Sequence, residues 1–223
     1  MRPEIDALVT LREQIAADLL EMGAVTLRPD DPFTWASGLR SPVYCDNRLT
    51  LTHPATRARI TAGYQELIGR GGYRPGLVAG VATAGIPQAA LVADRLGLPL
   101  AYVRSSAKGH GKENRIEGRV ETGQRVVVIE DLFSTGGSSV EAALALRDAG
   151  AEPVAVLAIF SYGFQSARER FAEAGLESAT LTDFATLLQV AERVGALEPS
   201  AIDSLRDWQR DPTAWSQQVT DDG

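Results

Sequence analysis

The stretch VVVIEDLFSTGGSS, residues 126–139, decides the fold class of this chain. Its first four residues are β-branched and do not alternate with polar residues, which is typical of a strand buried on both faces of a parallel sheet. Glu130 and Asp131 follow at the carboxyl end of this strand, where open α/β sheets bind ligands. A turn of small residues then leads into an alanine- and leucine-rich helix, residues 140–147. The stretch therefore predicts an α/β fold with a ligand site at this strand end.

The turn after the two acids favours an anion, because hydroxyls and backbone N–H groups gather at a helix N-terminus. Its glycines, Gly136 and Gly137, let a phosphate approach the backbone closely. Two carboxylates suit a ribose diol, so the stretch indicates a phosphorylated ribose. An ordinary βα turn with a helix cap is the alternative. No Gly-Lys-Ser/Thr occurs and no G-x-G-x-x-G follows a strand, which excludes a Walker loop and a dinucleotide fingerprint.

A second signal is the segment RSSAKGHGKENRIEG, which begins at Arg104. The chain has 22 Lys plus Arg, yet Lys108 and Lys112 are its only lysines and both lie in this segment. His110 stands between them with a glycine on each side, and Arg115 follows. A compact, mobile ammonium suits a polyanion such as pyrophosphate. A solvated loop without a binding role is the alternative.

The overall composition is that of an ordinary globular protein, and 223 residues suffice for one substantial core. The net charge of −7 argues against general nucleic-acid binding, which needs a basic face. Cys45 is the only cysteine, which excludes an internal disulfide and a cysteine-based metal cluster. The first residues contain acids and no long apolar run, so neither a signal peptide nor a membrane span is expected, and the protein is expected in the cytoplasm.

Apolar runs and helical periodicity alternate along the chain, which predicts a parallel sheet with right-handed crossovers. An N-terminal helix is predicted from the spacing of Ile5, Leu8, Leu11, Ile15 and Leu19. Further helices are predicted at 56–70, 86–96, 139–148, 164–174, 184–194 and 201–210. Further strands are predicted at 77–81, 100–103 and 153–160. Residues 216–223 are predicted to fray.

Two other segments carry weaker binding signals. FTWASGLRSPVYCDNRLT, residues 33–50, places aromatics beside a glycine turn, where they can stack on a planar ring. A hairpin with core aromatics is the alternative. LVAGVATAGIPQ, residues 77–88, is an apolar strand followed by a small-residue turn and a helix, for which a plain βα unit is the alternative.

Residues 126–139 resemble the phosphoribosyl pyrophosphate (PRPP) motif of type I phosphoribosyltransferases. The resemblance implies that Glu130 and Asp131 bind the ribose 2′- and 3′-hydroxyls and that the following turn binds the 5′-phosphate. The remaining PRPP-binding residues implied are Leu132, Phe133, Ser134, Thr135, Gly136, Gly137 and Ser138. The turn at residues 83–85 is implied to offer backbone N–H groups to the pyrophosphate.

The segment from Tyr102 to Gly118 resembles the catalytic loop of orotate phosphoribosyltransferases. This implies that Arg104, Lys108 and His110 bind PRPP, and that the loop serves the neighbouring subunit of a homodimer. Lys108 is an implied catalytic residue, and Asp131 in the strand-end motif is the other. Many family members carry a further lysine just after the arginine, and the serines at positions 105 and 106 remove that pyrophosphate contact.

Residues 33–50 resemble the base-binding entry of the bacterial orotate phosphoribosyltransferases, which implies that Phe33 and Ser134 bind orotate. Some relatives hold the orotate carboxylate with a lysine at the position of Ala36 and an arginine near position 162. Both are absent from this chain. The carboxylate is therefore expected to bind backbone amides, Ser134 or a basic residue such as Arg48.

The resemblance implies a single type I phosphoribosyltransferase domain over residues 1–223, with a central, mostly parallel sheet flanked by helices. In this interpretation residues 1 to about 50 form an N-terminal helix and a small base-binding hood. Residues from about 51 to about 195 form the α/β core. Those from about 196 to 223 form a C-terminal helix and a frayed tail.

The activity implied is transfer of the phosphoribosyl group from PRPP to N1 of orotate, giving orotidine 5′-monophosphate and pyrophosphate in pyrimidine biosynthesis. Mg²⁺ is the implied cofactor, bound by substrate oxygens with no direct protein ligand, and reached by Asp131 through water. A purine-base phosphoribosyltransferase is one alternative and should lack the KGHGK loop and the FTWASG hood. A non-catalytic PRPP-sensing regulator is the other and should add a DNA-binding domain or a basic face.

Overall fold

The computed structural model describes residues 10–35, 38–105 and 115–221. The helices are α1 (Leu11–Glu21), α2 (Pro54–Arg70), α3 (Gly85–Leu96), α4 (Gly137–Asp148), α5 (Gln165–Glu173), α6 (Phe184–Arg193), α7 (Pro199–Arg210) and α8 (Pro212–Asp221). The strands are β1 (Val25–Leu27), β2 (Phe33–Thr34), β3 (Arg40–Ser41), β4 (Val43–Cys45), β5 (Leu77–Val81), β6 (Leu100–Val103), β7 (Ile116–Glu117), β8 (Arg125–Phe133), β9 (Glu152–Ser161) and β10 (Ser178–Thr180). A 3₁₀ turn, Asn47–Thr52, precedes α2.

The central sheet has the strand order β10-β9-β8-β5-β6-β7 within the described residues. All neighbouring strands are parallel except β6 and β7, which form an antiparallel pair. The predicted mostly parallel sheet flanked by helices is confirmed. After β5 the chain continues to β6 on one side, and after β8 it continues to β9 on the other side. The crevice between β5 and β8 is therefore a topological switch point, the place where open α/β sheets bind ligands.

The apolar run of β8 is uniform because helices cover both of its faces. Val127 and Ile129 belong to the larger core cluster, which includes side chains of α1, α2, α3 and α6. Val126 and Val128 belong to a second cluster, which includes α4. All four side chains are fully buried. A strand that alternated apolar and polar residues would place polar groups in one of these two cores.

The sequence prediction ended this strand at Ile129, whereas β8 continues through the two acids to Phe133. The reason is the length of β9, which pairs with β8 beyond the end of β5, from Glu130 opposite Ala158 to Phe133 opposite Ser161. Both acids therefore project from a strand that has one remaining neighbour in the sheet.

The sequence prediction grouped the N-terminal helix with the hood, but this helix packs into the core. Helix α1 begins at Leu11 behind a capping box formed by Thr10 and Glu13, and its Ile15 and Leu19 are fully buried in the larger core cluster. Ile5 and Leu8, included in the predicted helix, lie outside the described residues. The hood itself consists of two antiparallel pairs, β1 with β4 and β2 with β3.

The prediction of a frayed tail is wrong for residues 216–221, because α8 extends to Asp221. The side chain of Asp211 accepts hydrogen bonds from the backbone N–H groups of Thr213 and Ala214 and so caps the first turn. Trp215 is buried in the larger core cluster. The Ser216 hydroxyl oxygen accepts the backbone N–H of Arg40 at 2.8 Å. Tertiary contacts thus order a segment whose own composition is polar.

Helix α3 begins in direct contact with β8 at a glycine. A Cβ on Gly85 would overlap the carbonyl oxygen of Ile129 and would lie 3.2 Å from the Cα of Glu130. Gly80 of β5 meets the same helix, since its Cβ would lie 2.9 Å from the Cα of Ile86. Two glycines therefore allow the turn at residues 83–85 to reach the acid pair.

We expect Gly85→Ala to lower the free energy of unfolding by about 1–3 kcal/mol or more, because the added methyl group meets main chain that cannot rotate away. Gly69→Ala is the matched control in α2, where a Cβ meets nothing within 4 Å. The control should be neutral or stabilising by up to ~1 kcal/mol. Urea denaturation of both variants measures the difference, and equal stabilities would contradict the contact.

Candidate active site

The acid pair lies at the crevice between β5 and β8, and its two members differ in exposure. Glu130 is 6% exposed, whereas Asp131 is half-buried. Oε1 of Glu130 accepts the backbone N–H of Asp131 at 3.0 Å. Its Oε2 accepts the hydroxyls of Ser138 and Ser139 at 3.4 and 3.3 Å. Glu130 is thus fixed by the first turn of α4, and Asp131 is the more accessible carboxylate.

The electrostatic state of the pair follows from its burial. Burial, and then the negative charge of Asp131, raises the pKa of Glu130 to about 8 from an ordinary value of 4.5. Burial also raises the pKa of the Asp131 carboxyl. Burial therefore favours the protonated form of the pair, in which the two acids can accept hydrogen bonds from hydroxyl groups and can also donate one.

The turn between the acids and α4 has the geometry of an anion site. Gly136 is the N-cap of α4 and adopts a left-handed conformation with φ of 76°. This N-cap has no side chain that could accept the first N–H groups of α4, so no Ser or Thr side chain caps the helix. Ser134 is half-buried, while Thr135 and Ser138 are exposed. The first N–H groups of α4 therefore have no side-chain cap, and three hydroxyl residues lie in the same turn.

Arg170 of α5 adds positive charge beside this turn, although nothing in the sequence pattern marks it. A Cβ on Gly137 would lie 2.6 Å from an Nη atom of Arg170. Phe133, by contrast, is buried in the second core cluster with its ring centroid 4.8 Å from that of Phe171. Of the predicted PRPP-binding residues, Phe133 can therefore offer its main chain but not its side chain.

Two side chains that sequence reasoning missed contact the main chain of the acid pair. Nδ2 of Asn47 donates to the carbonyl oxygen of Asp131 at 2.7 Å. The hydroxyl of Tyr64 donates to the carbonyl oxygen of Glu130 at 2.7 Å. Asn47 stands in the segment singled out for its aromatics, but a single asparagine there carries no pattern that predicts a contact with residue 131.

The hood brings aromatic and basic side chains together. The Phe33 ring centroid lies 5.5 Å from that of Tyr44 and 4.8 Å from the guanidinium carbon of Arg28. Arg48 is held by Asp46, with Nε–Oδ1 and Nη2–Oδ2 distances of 2.6 and 2.8 Å. These bonds raise the pKa of Arg48, and the charges of Tyr44 and Asp131 add to the effect.

The Cys45 thiol of β4 is affected by the charge of the acid pair. Burial raises the pKa of this thiol well above the ordinary value, and the next largest cause is the charge of Asp131. The thiol therefore stays protonated at neutral pH, which makes it a poor nucleophile.

The predicted cationic loop begins and ends at a short hairpin. Tyr102 and Val103 of β6 pair with β7, and the backbone N–H of Arg104 donates to the carbonyl of Arg115 at 2.8 Å. Nη1 of Arg104 lies 3.6 Å from Oε1 of Glu117. Lys108 and His110 lie outside the described residues. The strand β7, which closes the loop, was absent from the sequence prediction.

The described residues contain no group of three or more His, Cys, Asp and Glu side chains that could hold a metal ion. Within 10–35, 38–105 and 115–221, no helix is both long and apolar enough to cross a membrane.

Comparisons with known proteins agree with this geometry. Residues 50–176 match the family model described as "Phosphoribosyl transferase domain". The orotate phosphoribosyltransferase of Bacillus cytotoxicus is 50% identical over 92% of this chain and 99% of its own length. The chain belongs to the orotate phosphoribosyltransferase family.

Solved structures of the orotate phosphoribosyltransferases share the fold. The enzyme from Aeropyrum pernix superposes with a TM-score of 0.71 at 34% identity, covering 82% of this chain and 99% of that one. The enzyme from Mycobacterium tuberculosis, solved in complex with PRPP, gives a TM-score of 0.62 at 27% identity, covering 80% and 99%. The type I phosphoribosyltransferase fold expected from the sequence is confirmed.

The raised pKa of Glu130 predicts that stability falls as pH rises. The unfolded chain loses this proton near the ordinary pKa of 4.5, whereas the folded protein keeps it up to about pH 8. Between those values the folded state binds more protons, so the free energy of unfolding decreases from about pH 5 to about pH 8. Glu130→Gln should remove most of this decrease, as measured by urea denaturation across that range without divalent metal.

Glu173→Gln is the control, since Glu173 is exposed at the end of α5. It should show the same pH dependence as the parent chain. A Glu130→Gln protein that loses stability with pH as steeply as the parent would contradict the assignment.

Proposed function

We propose that this protein transfers the 5-phosphoribosyl group of PRPP to N1 of orotate, giving orotidine 5′-monophosphate and pyrophosphate in pyrimidine biosynthesis. The observation that carries the proposal is the convergence of three features at one crevice. These are the acid pair, the N-terminus of α4 with Gly136 as its N-cap, and the turn at residues 83–85. The name of the Bacillus cytotoxicus relative, with which the chain shares half of its residues, supports the choice of reaction.

In this proposal Glu130 and Asp131 bind the ribose 2′- and 3′-hydroxyls, and the turn from Ser134 to Ser138 binds the 5′-phosphate. The bond between C1′ and the pyrophosphate oxygen breaks, the bond between orotate N1 and C1′ forms, and the N1 proton is released. Because the ribose acquires oxocarbenium character, the protein's tasks are to align the two reactants and to stabilise charge on the leaving group. The complex of the Mycobacterium tuberculosis enzyme with PRPP supports the assignment of this substrate.

Mg²⁺ fits the residues that are present. Such an ion is usually held by one or two carboxylates together with substrate phosphates and water. Asp131, the more accessible of the two acids, would hold the ion through water. When bound, the ion supplies positive charge that offsets the charge of the departing pyrophosphate.

Arg104, Lys108 and His110 bind the pyrophosphate in this proposal, and Lys108 acts on the leaving group. Arg104 stands at the start of the loop, next to the hairpin that closes it. The protein forms a homodimer in which each loop serves the neighbouring subunit, and it acts in the cytoplasm. Closure of the loop excludes water, which otherwise competes with orotate for C1′.

Phe33 and Ser134 bind orotate in this proposal, with the aromatic hood stacking on the pyrimidine ring. Arg48 remains a candidate for the orotate carboxylate, but Asp46 already occupies its guanidinium through two hydrogen bonds. Backbone amides and the Ser134 hydroxyl are therefore the better carboxylate donors.

The base is tested by supplying PRPP and Mg²⁺ with orotate, uracil, adenine or hypoxanthine in parallel. We expect orotate absorbance to fall and the other bases to persist, because the FTWASG hood and the KGHGK loop are orotate features. Consumption of a purine would support a purine-base phosphoribosyltransferase instead. PRPP binding without consumption of any base would support the regulator.

The role of Lys108 is tested by Lys108→Ala, with Lys112→Ala as a control that removes the same charge from the same loop. Lys108→Ala should lower kcat by about 100-fold or more while raising the KM for PRPP much less, since charge on the leaving group develops in the transition state. The control should lose far less. Unchanged turnover in Lys108→Ala would reject the assignment, and steady-state kinetics provide the measurement.

A further inference from the structure

We propose that Asn47 and Tyr64 are positioning residues that hold the main chain of the acid pair in the orientation that ribose binding requires. The inference rests on the proposed function, because it assumes that Glu130 and Asp131 bind the ribose hydroxyls. It adds two residues outside the PRPP motif to the machinery of substrate recognition.

The contacts are specific to the two acids. Asn47 donates to the carbonyl of Asp131 and Tyr64 to the carbonyl of Glu130, each at 2.7 Å, so two consecutive peptide groups are held by side chains from 84 and 66 residues away. Asn47 is 1% exposed and Tyr64 is fully buried. In such surroundings both bonds are shielded from competing water.

The acid pair needs this support because β8 extends beyond the end of its neighbour β5. The pairing with β5 ends at Gly80 and Ile129, and beyond that point β9 is the one strand of the described residues that pairs with β8. Carboxylate direction follows main-chain direction, and a displacement of about 1 Å at a binding group is enough to cost affinity or rate. Asn47 and Tyr64 restrain the segment at the two residues where such a displacement matters.

The 3₁₀ turn that contains Asn47 also contacts the start of α3. Nε2 of Gln88, in the first turn of α3, donates to the hydroxyl oxygen of Thr50 at 3.2 Å. That hydroxyl donates to the carbonyl of Asn47 at 2.6 Å. The 3₁₀ turn therefore joins the helix that follows residues 83–85 to the main chain of Asp131. In this proposal the residues that bind ribose and those that bind pyrophosphate are therefore held by the same 3₁₀ turn.

The experiment compares Asn47→Leu, which keeps the volume but removes the amide donor, and Tyr64→Phe, which removes a single oxygen. Thr61→Val is the control, because Thr61 is also buried in α2 and its hydroxyl donates to a main-chain carbonyl, that of Arg57, away from the site. Kinetics are measured well below the melting temperature of each protein. Calorimetric titrations with ribose 5-phosphate and with inorganic phosphate accompany them.

We expect the KM for PRPP to rise about tenfold in Asn47→Leu and in Tyr64→Phe, while the KM for orotate changes less than about twofold. Affinity for ribose 5-phosphate should fall by a similar factor. Affinity for inorganic phosphate should stay constant, because phosphate alone contacts the turn and not the acids. Thr61→Val should match the parent chain in all four measurements.

A KM for PRPP within about twofold of the parent in folded variants would overturn the inference. Equal losses for ribose 5-phosphate, phosphate and orotate would also overturn it, since they indicate general loosening. If Asn47→Leu does not fold, Tyr64→Phe decides the question alone. If the parent protein does not consume orotate, the proposed function fails, and the two titrations still test the positioning role.

Discussion

The contact between the start of α3 and the middle of β8 is the constraint on which the site depends. Only a residue without a side chain fits at Gly85, because a Cβ would overlap the Ile129 carbonyl oxygen. This closeness places the turn after β5 against the Cα of Glu130 and creates the crevice at the switch point of the sheet. The 3₁₀ turn, Tyr64 and the hood pack around this contact between α3 and β8.

Two electrostatic demands at this junction are met by one kind of ligand. The buried acids favour further hydrogen-bond donors, because burial raises the pKa of Glu130 to about 8. The N-terminus of α4, with Gly136 as its cap, requires an acceptor with negative charge. A molecule that carries both a pair of sugar hydroxyls and a phosphate supplies the donors for the acids and the acceptor for α4. The arrangement therefore favours a phosphorylated sugar over a free sugar or a free anion.

The sequence predicted those features that local patterns encode. The strand at Val126, the acids and the glycine turn lie within fourteen consecutive residues, and their periodicity and residue types carry the information. The extension of β8 to Phe133 escaped prediction because it depends on the length of β9. Helix α8 was not predicted because the burial of Trp215 stabilises a segment whose composition is polar.

The contacts of Asn47 and Tyr64 with the main chain of the acid pair were not predicted, for a different reason. Each joins residues more than sixty positions apart through a single hydrogen bond, and neither residue type forms a repeating pattern. The assignments of Lys108 and His110 to the site remain predictions from the resemblance, because these residues lie outside the described part of the chain.

Trp35 and Arg40 contact helices α7 and α8, which are far from them in the chain. Ser216 of α8 accepts the backbone N–H of Arg40, the Trp35 and Trp208 ring centroids lie 6.0 Å apart, and Gln209 donates to the carbonyl of Tyr162. Both partners in the first two contacts lie outside residues 50–176, the part that matches the general phosphoribosyltransferase model. The segments that flank residues 50–176 therefore pack against each other. A substitution at Trp35 or Arg40 alters the packing of α7 and α8 as well as that of the hood.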